Sequence, residues 1–168
     1  MKYAWTCQCC GKQFHTLPLD FACKAPDHWF DIPEAERETK GRLDSDVCMI
    51  EGNGIFVRGC LEIPIHGIDD KFIWGVWVSV SRESFERILE LWTASNVENE
   101  PPFFAWLCNN IRPYPQTLNL KTNLHLRSGG IRPFIELEST DHPLAVEQRQ
   151  GISLARVEEI VASLSIRH

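Results

Sequence analysis

The chain of 168 residues carries a net charge of −6 at pH 7, and 43% of its residues are hydrophobic. This composition is typical of a globular protein, and the length corresponds to one domain with a sizeable core, so we expect a single domain over residues 1–168. The acidic balance argues against binding to nucleic acid or to an anionic membrane, because Lys and Arg largely mediate both kinds of binding.

The N-terminal part of the chain shows neither a targeting segment nor regular periodicity. It has no apolar region of the signal-peptide type, and no run approaches the roughly 20 apolar residues of a membrane span, so we expect a cytoplasmic protein. Pro18, Pro26 and Pro33 interrupt residues 1–40, where the sequence predicts one short helix over residues 33–40 with Asp31 as its cap. We expect this irregular segment to dock on a core formed by residues 45–168.

Strand patterns begin after residue 45. Residues 47–51 and 55–58 flank the turn Gly52-Asn53-Gly54, which predicts a hairpin. Gly59 predicts a bulge in the second strand, which then continues to residue 65.

Residues 72–92 supply the densest apolar surface of the sequence. Residues 72–80 place aromatic side chains on both faces of one strand, and this is typical of a central strand covered on both sides. Ser81 is the predicted N-cap of a helix over residues 82–93. The predicted buried stripe of that helix consists of Phe85, Ile88, Leu89 and Trp92.

The second half of the chain combines a further hairpin with several helices. We predict a short helix over residues 103–110, then strands over residues 117–127 and 131–138, which a Gly-rich turn joins. Thr140 or Asp141 is the predicted cap of one helix, and Ser153 is the predicted cap of the last. Because strands and helices come in blocks, the sequence predicts an α+β fold whose antiparallel sheet has about five strands, a three-stranded meander plus a hairpin, with helices packed on it.

Three of the seven cysteines, Cys7, Cys9 and Cys10, lie close together near the start of the N-terminal segment. Cys7 and Cys10 form a CxxCG motif with Gly11, in which two thiolates at a tight turn can bind one zinc ion. The sequence leaves open whether Cys9 or Cys10 is the second thiolate. We predict a structural zinc site at a zinc-knuckle-like N-terminal segment; a redox pair and free thiols are the alternatives.

Zinc needs two more ligands from elsewhere in the chain. His15 and Cys48 are the predicted ligands, and Asp20 and Cys23 stay open as alternatives. The run from Cys7 also resembles a retroviral nucleocapsid knuckle, C-x2-C-x4-H-x4-C, whose first three ligand positions fall on Cys7, Cys10 and His15. Its fourth position falls on Asp20, and this departure, with the acidic net charge, argues against nucleic-acid binding.

Two further groups of residues have a functional and a structural interpretation. Asp141-His142 at a helix start could perform acid–base chemistry, but local capping and hydrogen bonding are the preferred interpretation of the pair. The aromatic residues Trp74, Trp77, Trp92, Trp106 and Phe103–Phe104 could line a ligand pocket, although core packing is the commoner role of such residues.

Six segments together resemble one bacterial family, domain of unknown function 2199. They are CxxCG at residues 7–11, LDSDVC at 43–48, VRGCLEIPIHG at 57–67, WGVWVSVS at 74–81, YPQTLNLKTNLHLR at 114–127 and DHPLAVEQRQGIS at 141–153. The resemblance implies a bacterial, cytosolic protein, and it supplies no catalytic residues.

The sequence favours a non-enzymatic binding or interaction protein with structural zinc, whose partner is an unknown protein or small molecule. One alternative is an immunity protein that neutralises a basic toxin through an acidic surface. A second alternative is a metal-assisted hydrolase, in which His142 and a carboxylate complete an open zinc position.

Overall fold

The computed structural model describes residues 3–8 and 10–165. The strands are β1 (Trp5–Thr6), β2 (Gln13–Phe14), β3 (Asp20–Ala22), β4 (Gly41–Leu43), β5 (Val47–Ile50), β6 (Gly54–Pro64), β7 (Lys71–Val80), β8 (Phe103–Leu107), β9 (Lys121–His125) and β10 (Phe134–Leu137). The α-helices are α1 (Asp27–Phe30), α2 (Arg37–Lys40), α3 (Arg82–Leu91), α4 (Pro143–Gln150) and α5 (Leu154–Ser165). The fold is α+β, as predicted.

Five strands close into a barrel in the order β6–β7–β8–β9–β10–β6. An odd number of strands cannot alternate in direction all the way around a ring, so at least one neighbouring pair has to be parallel. That pair is β10 with β6, where Phe134 lies opposite Cys60. The prediction of a simple antiparallel sheet is therefore wrong, because the sheet closes into a barrel through one parallel pair. That pair, β10 with β6, joins segments more than 70 residues apart, and local sequence patterns do not encode such a contact.

Three more strands extend the sheet beyond the barrel. β5 pairs with the first half of β6, and β4 pairs with β5. β3 runs parallel to β7 and pairs with its first half, whereas β8 pairs with β7 only at Val78 and Ser79. The edge of β7 therefore changes partner near Trp77.

The two longest strands, β6 and β7, contribute side chains to two apolar clusters, one on each face of the sheet, because successive side chains of a strand point to opposite faces. One face lies in the main core, which fills the barrel and packs against the helices; its strand residues include Val57, Leu61, Val76, Val78, Leu107, Leu124 and Ile135. The other face contributes to a second cluster on the outside of the barrel, formed by Ile32, Cys48, Ile50, Phe56, Trp77 and Cys108.

Gly59 does not form the predicted bulge. The pairing of β6 with β7 is continuous through Gly59, which lies opposite Val76. A Cβ atom at residue 59 would lie 2.5 Å from Cγ1 of Ile135 and 3.0 Å from the Pro133 carbonyl oxygen. Glycine is needed here because β10 crosses β6 closely, and not because the backbone bends.

The capping prediction for α3 is confirmed. Ser81 Oγ accepts the backbone N–H of Ser84 at 3.1 Å, and both Phe85 and Ile88 are buried. Leu89, which we predicted to be buried, is 52% exposed.

The predicted helix over residues 103–110 is instead strand β8. Ala105 and Leu107 point into the barrel, whereas Phe104 and Trp106 are exposed by 49% and 41%. A short apolar run does not distinguish helix from strand by itself, and pairing with β7 and β9 decides the outcome. The strand predicted over residues 117–127 covers only Lys121–His125, because a turn precedes it.

The first forty residues are more ordered and more buried than predicted. Trp5, Cys7 and Leu17 lie in the main core. The predicted helix over residues 33–40 is a 3-10 turn, Glu34–Glu36, followed by α2, and Asp31 ends α1 instead of capping this segment. Within the described parts of the chain, no helix combines the length and the apolar character needed to cross a membrane.

Candidate functional site

The N-terminal hairpin β1–β2 carries the predicted zinc thiolates. The Cys7 N–H donates to the Lys12 carbonyl oxygen at 2.9 Å, and the Gly11 N–H donates to the Cys7 carbonyl oxygen at 2.8 Å. Cys7 is 1% exposed, while Cys10 is exposed on the turn. Cys9 lies outside the described residues.

The other predicted ligands are not assembled at this hairpin. Cys48 lies on β5 in the second cluster, whereas Cys7 belongs to the main core, and His15 is exposed. Burial raises the pKa of the Cys48 thiol to about 12. Among residues 3–8 and 10–165, no three His, Cys, Asp or Glu side chains form a group that could hold a metal ion. Zinc therefore stays a prediction.

His142 serves as the N-cap of α4. Its Nδ1 accepts the N–H of Leu144 at 3.1 Å, and its Nε2 lies 3.2 Å from the Pro115 carbonyl oxygen and 3.1 Å from that of Gln116. The predicted cap, Thr140 or Asp141, is thus corrected to His142. The structural interpretation of the Asp141-His142 pair is favoured, because local hydrogen bonds occupy both ring nitrogens.

A buried amide fixes the point where the edge of β7 changes partner. Asn109 is 1% exposed; its Oδ1 accepts the Trp77 N–H at 2.8 Å, and its Nδ2 donates to the Ala25 carbonyl oxygen at 2.9 Å. Asp27 accepts hydrogen bonds from Asn109 and from the Asn110 N–H. This network holds the start of α1 against the end of β8.

The same network positions His28 beside Cys108. The Asp27 N–H donates to the Cys108 carbonyl oxygen at 2.9 Å, and His28 is the next residue. The His28 ring lies 5.3 Å from the Phe56 ring, tilted by 32°. Its Nδ1 is buried and has no hydrogen-bonding partner among the described residues. Because buried polar atoms are almost always paired, such an atom suggests a missing partner.

A pocket of about 390 Å³ opens at this place on the outer face of the barrel. Cross-strand pairing creates it, since Phe56 lies opposite Ser79 and Ser79 lies opposite Trp106. We call it the aromatic pocket, and its lining residues are His28, Asn53, Phe56, Ser79, Trp106, Cys108 and Asn119. Its volume lies within the range of small-molecule sites.

The base of the aromatic pocket is apolar and its rim is polar. Phe56 and Cys108 are almost fully buried, whereas Asn53, Trp106 and Asn119 are exposed. Burial raises the pKa of the Cys108 thiol to about 11, and hydrogen bonds from Ser79 oppose part of that rise. The thiol is therefore protonated at neutral pH, where it is a weak nucleophile.

A second depression, of about 350 Å³, lies where β6 and β10 meet α4. Its most buried charge is the Glu62 carboxylate, which pairs with Arg127 at 2.7 Å and with Lys71 at 3.5 Å. These charges already neutralise one another. The aromatic pocket is consequently the better candidate for a binding site.

Most of the aromatic pocket was not predicted from the sequence. Trp106 belonged to the set that could line a pocket, whereas His28, Phe56, Ser79 and the two asparagines were not singled out. The alternation of residues 103–107 is the one pattern that indicates it, because a strand there leaves Phe104 and Trp106 facing outward.

Fold and site together define an α+β barrel protein with a ligand-sized pocket on its outer face. The chain belongs to DUF2199, a family described as an uncharacterised protein conserved in bacteria, whose family model matches residues 6–152. This confirms the resemblance inferred from the motifs. Comparisons with curated proteins and with solved structures gave no match.

Proposed function

We propose that this protein is a non-enzymatic binding protein that holds a small molecule in the aromatic pocket. The observation that carries the proposal is the convergence of aromatic rings and unpaired polar groups at one concave site. Apolar walls with a few placed polar groups are the usual construction of a small-molecule site.

The pocket favours binding over catalysis because the Cys108 thiol, its most reactive group, stays protonated and is therefore a weak nucleophile. The Cys108 thiol donates to the Trp106 carbonyl oxygen at 3.3 Å and has a raised pKa. A nucleophilic thiol needs the opposite shift, from a neighbouring cation or a helix N-terminus. His142, the candidate for acid–base chemistry, lies at the start of α4 and does not line this pocket.

An aromatic probe tests the pocket directly. Indole titrated into ¹⁵N-labelled protein should shift the NMR signals of the Trp106 indole N–H and of the Ser79 and Asn119 amides. Trp106→Ala should abolish the shifts at Ser79 and Asn119. Phe14→Ala is the matched control, because Phe14 is equally exposed at 41% but lies on the N-terminal hairpin. Shifts that survive Trp106→Ala, or no shifts at all, would contradict the proposal.

We keep structural zinc as a separate proposal, supported by the tight turn that carries Cys7 and Cys10. Protein purified without added zinc should contain stoichiometric zinc, and Cys10→Ser should lose it. Cys60→Ser, on strand β6, is the control. Sub-stoichiometric metal together with an unchanged melting temperature after chelation would argue against it. The immunity-protein alternative rests on net charge and remains a prediction about a partner.

A further inference from the structure

We propose that the aromatic pocket selects an uncharged, planar nitrogen heterocycle of nucleobase or nucleoside size and rejects its phosphorylated forms. The inference rests on the proposed function, since it names the ligand class for the same pocket. Three properties of the pocket carry it: its aromatic walls, the hydrogen-bonding groups of its rim and a lining without charged side chains.

The walls suit a flat ring system. The Phe56 and His28 rings already contact each other, and Trp106 stands at the opening, where the Phe104 ring holds it edge-on at 5.0 Å. Aromatic side chains at the mouth of a groove are the usual platforms for heterocyclic bases, because every base has a π face.

The rim supplies donors and acceptors that face no partner in the protein. Asn53 and Asn119 are exposed at the rim, and their side-chain amides make no hydrogen bond to any other described residue. An amide offers a donor next to an acceptor, and the edge of a purine presents the complementary pair. A hydrocarbon ring would leave these groups unmatched.

The charges disfavour a phosphate. The lining residues include no Lys, Arg, Asp or Glu. Beside the lining, Asp27 is an anion and Lys121, opposite Trp106 on β9, is a cation, while the whole chain carries −6. Phosphate groups bind where several cations or a helix N-terminus neutralise them, and the lining of this pocket offers neither, so we expect a phosphorylated ligand to bind more weakly here.

Titrations with adenosine, adenosine monophosphate and indole, followed by calorimetry and by NMR, test the proposal. Adenosine should bind tighter than indole, and the monophosphate should bind about tenfold more weakly than adenosine, a factor that corresponds to one lost or repulsive polar interaction. Asn119→Gly should weaken adenosine about tenfold without weakening indole. Glycine is chosen because residue 119 has a φ of 71°, which alanine would strain.

The outcomes separate the ligand class from the function. If indole binds in the pocket and adenosine binds no tighter, the ligand class is wrong while the binding function stands. If the monophosphate binds as tightly as adenosine, the charge argument fails. If no probe shifts the pocket signals, both proposals fall. Asn53→Ala provides a second variant should Asn119→Gly lose its native spectrum.

Discussion

The side chain of Asn109 hydrogen-bonds the backbone of Trp77 at the gap between the two strand partners that share one edge of β7. Oδ1 of Asn109 accepts the Trp77 N–H at 2.8 Å, between the residues of β7 that pair with β3 and those that pair with β8. A buried backbone N–H without a partner is costly. The Asn109 side chain therefore supplies the hydrogen-bond acceptor that a neighbouring strand would otherwise provide, at the point where the edge of β7 changes partner from β3 to β8.

Replacing Asn109 should destabilise the protein strongly. Asn109→Leu keeps the volume but leaves the Trp77 N–H and the Ala25 carbonyl unpaired, so we expect a loss of about 2–6 kcal/mol in the free energy of unfolding, at about 1–3 kcal/mol for each of the two buried groups. Urea unfolding measures it. Asn99→Ala, at an exposed asparagine, should change stability by less than about 0.5 kcal/mol. A loss below about 1 kcal/mol for Asn109→Leu would mean that water restores the broken hydrogen bonds.

The side chain of Gln148, on helix α4, hydrogen-bonds the backbone of β10 near the parallel β10–β6 pairing that closes the barrel, which we call the parallel seam. Its Oε1 accepts the Leu137 N–H at 2.8 Å, and its Nε2 donates to the Ile135 carbonyl oxygen at 2.9 Å. Gln148→Met should therefore cost about 1–3 kcal/mol and accelerate hydrogen exchange at the Leu137 amide. Gln150→Met, at an exposed residue of the same helix, is the control. Unchanged exchange at Leu137 would show that the seam closes without this amide.

The sequence predicts the elements of this fold better than their assembly. The capping of α3 by Ser81 was predictable because it depends only on neighbouring residues: a Ser directly before an apolar helical stripe can accept a hydrogen bond from the first turn. The structure contains that hydrogen bond. Residues 103–107 were misassigned because only their partners, β7 and β9, select a strand. The barrel closes where Phe134 lies opposite Cys60, a contact between segments that are distant in the sequence. Hydrophobic periodicity indicates local secondary structure and does not indicate such a contact.

The aromatic pocket was harder to predict for the same physical reason. His28 reaches it from α1, Phe56 and Ser79 from neighbouring strands, and Asn119 from a turn. Only the cross-strand register brings these segments together. The cysteine motif at residues 7–11, by contrast, is contiguous, so the sequence alone displays it, although the structure assembles no ligand group around it among the described residues.

The buried thiols predict loss of stability in alkaline solution. Burial raises the pKa of Cys108 from 9.0 to about 11 and that of Cys48 to about 12. Between pH 9 and 11 the folded protein keeps these protons while the unfolded chain releases them, so stability is complete below pH 9 and falls as the pH rises. Each thiol contributes a slope of about 1.4 kcal/mol per pH unit.

Removing one thiol should reduce that slope. For Cys108→Ala, the fall in the free energy of unfolding between pH 9 and 10.5 should be shallower by about 1.4 kcal/mol per pH unit than in the unsubstituted protein. Urea unfolding at several pH values checks this. Ser95→Ala, at an exposed residue outside both proposed sites, is the control and should leave the slope unchanged. An equal slope in Cys108→Ala and the unsubstituted protein would show that the thiol does not keep its proton in the folded state.

His142 provides a test that separates capping from chemistry. Its Nδ1 accepts the Leu144 N–H at 3.1 Å, a hydrogen bond that an asparagine oxygen can also accept. We therefore expect His142→Ala to lower the free energy of unfolding by about 1 kcal/mol, and His142→Asn to retain most of the stability. Urea unfolding of both variants measures the difference. Equal losses in the two variants would contradict the capping role and would return His142 to consideration as a functional residue.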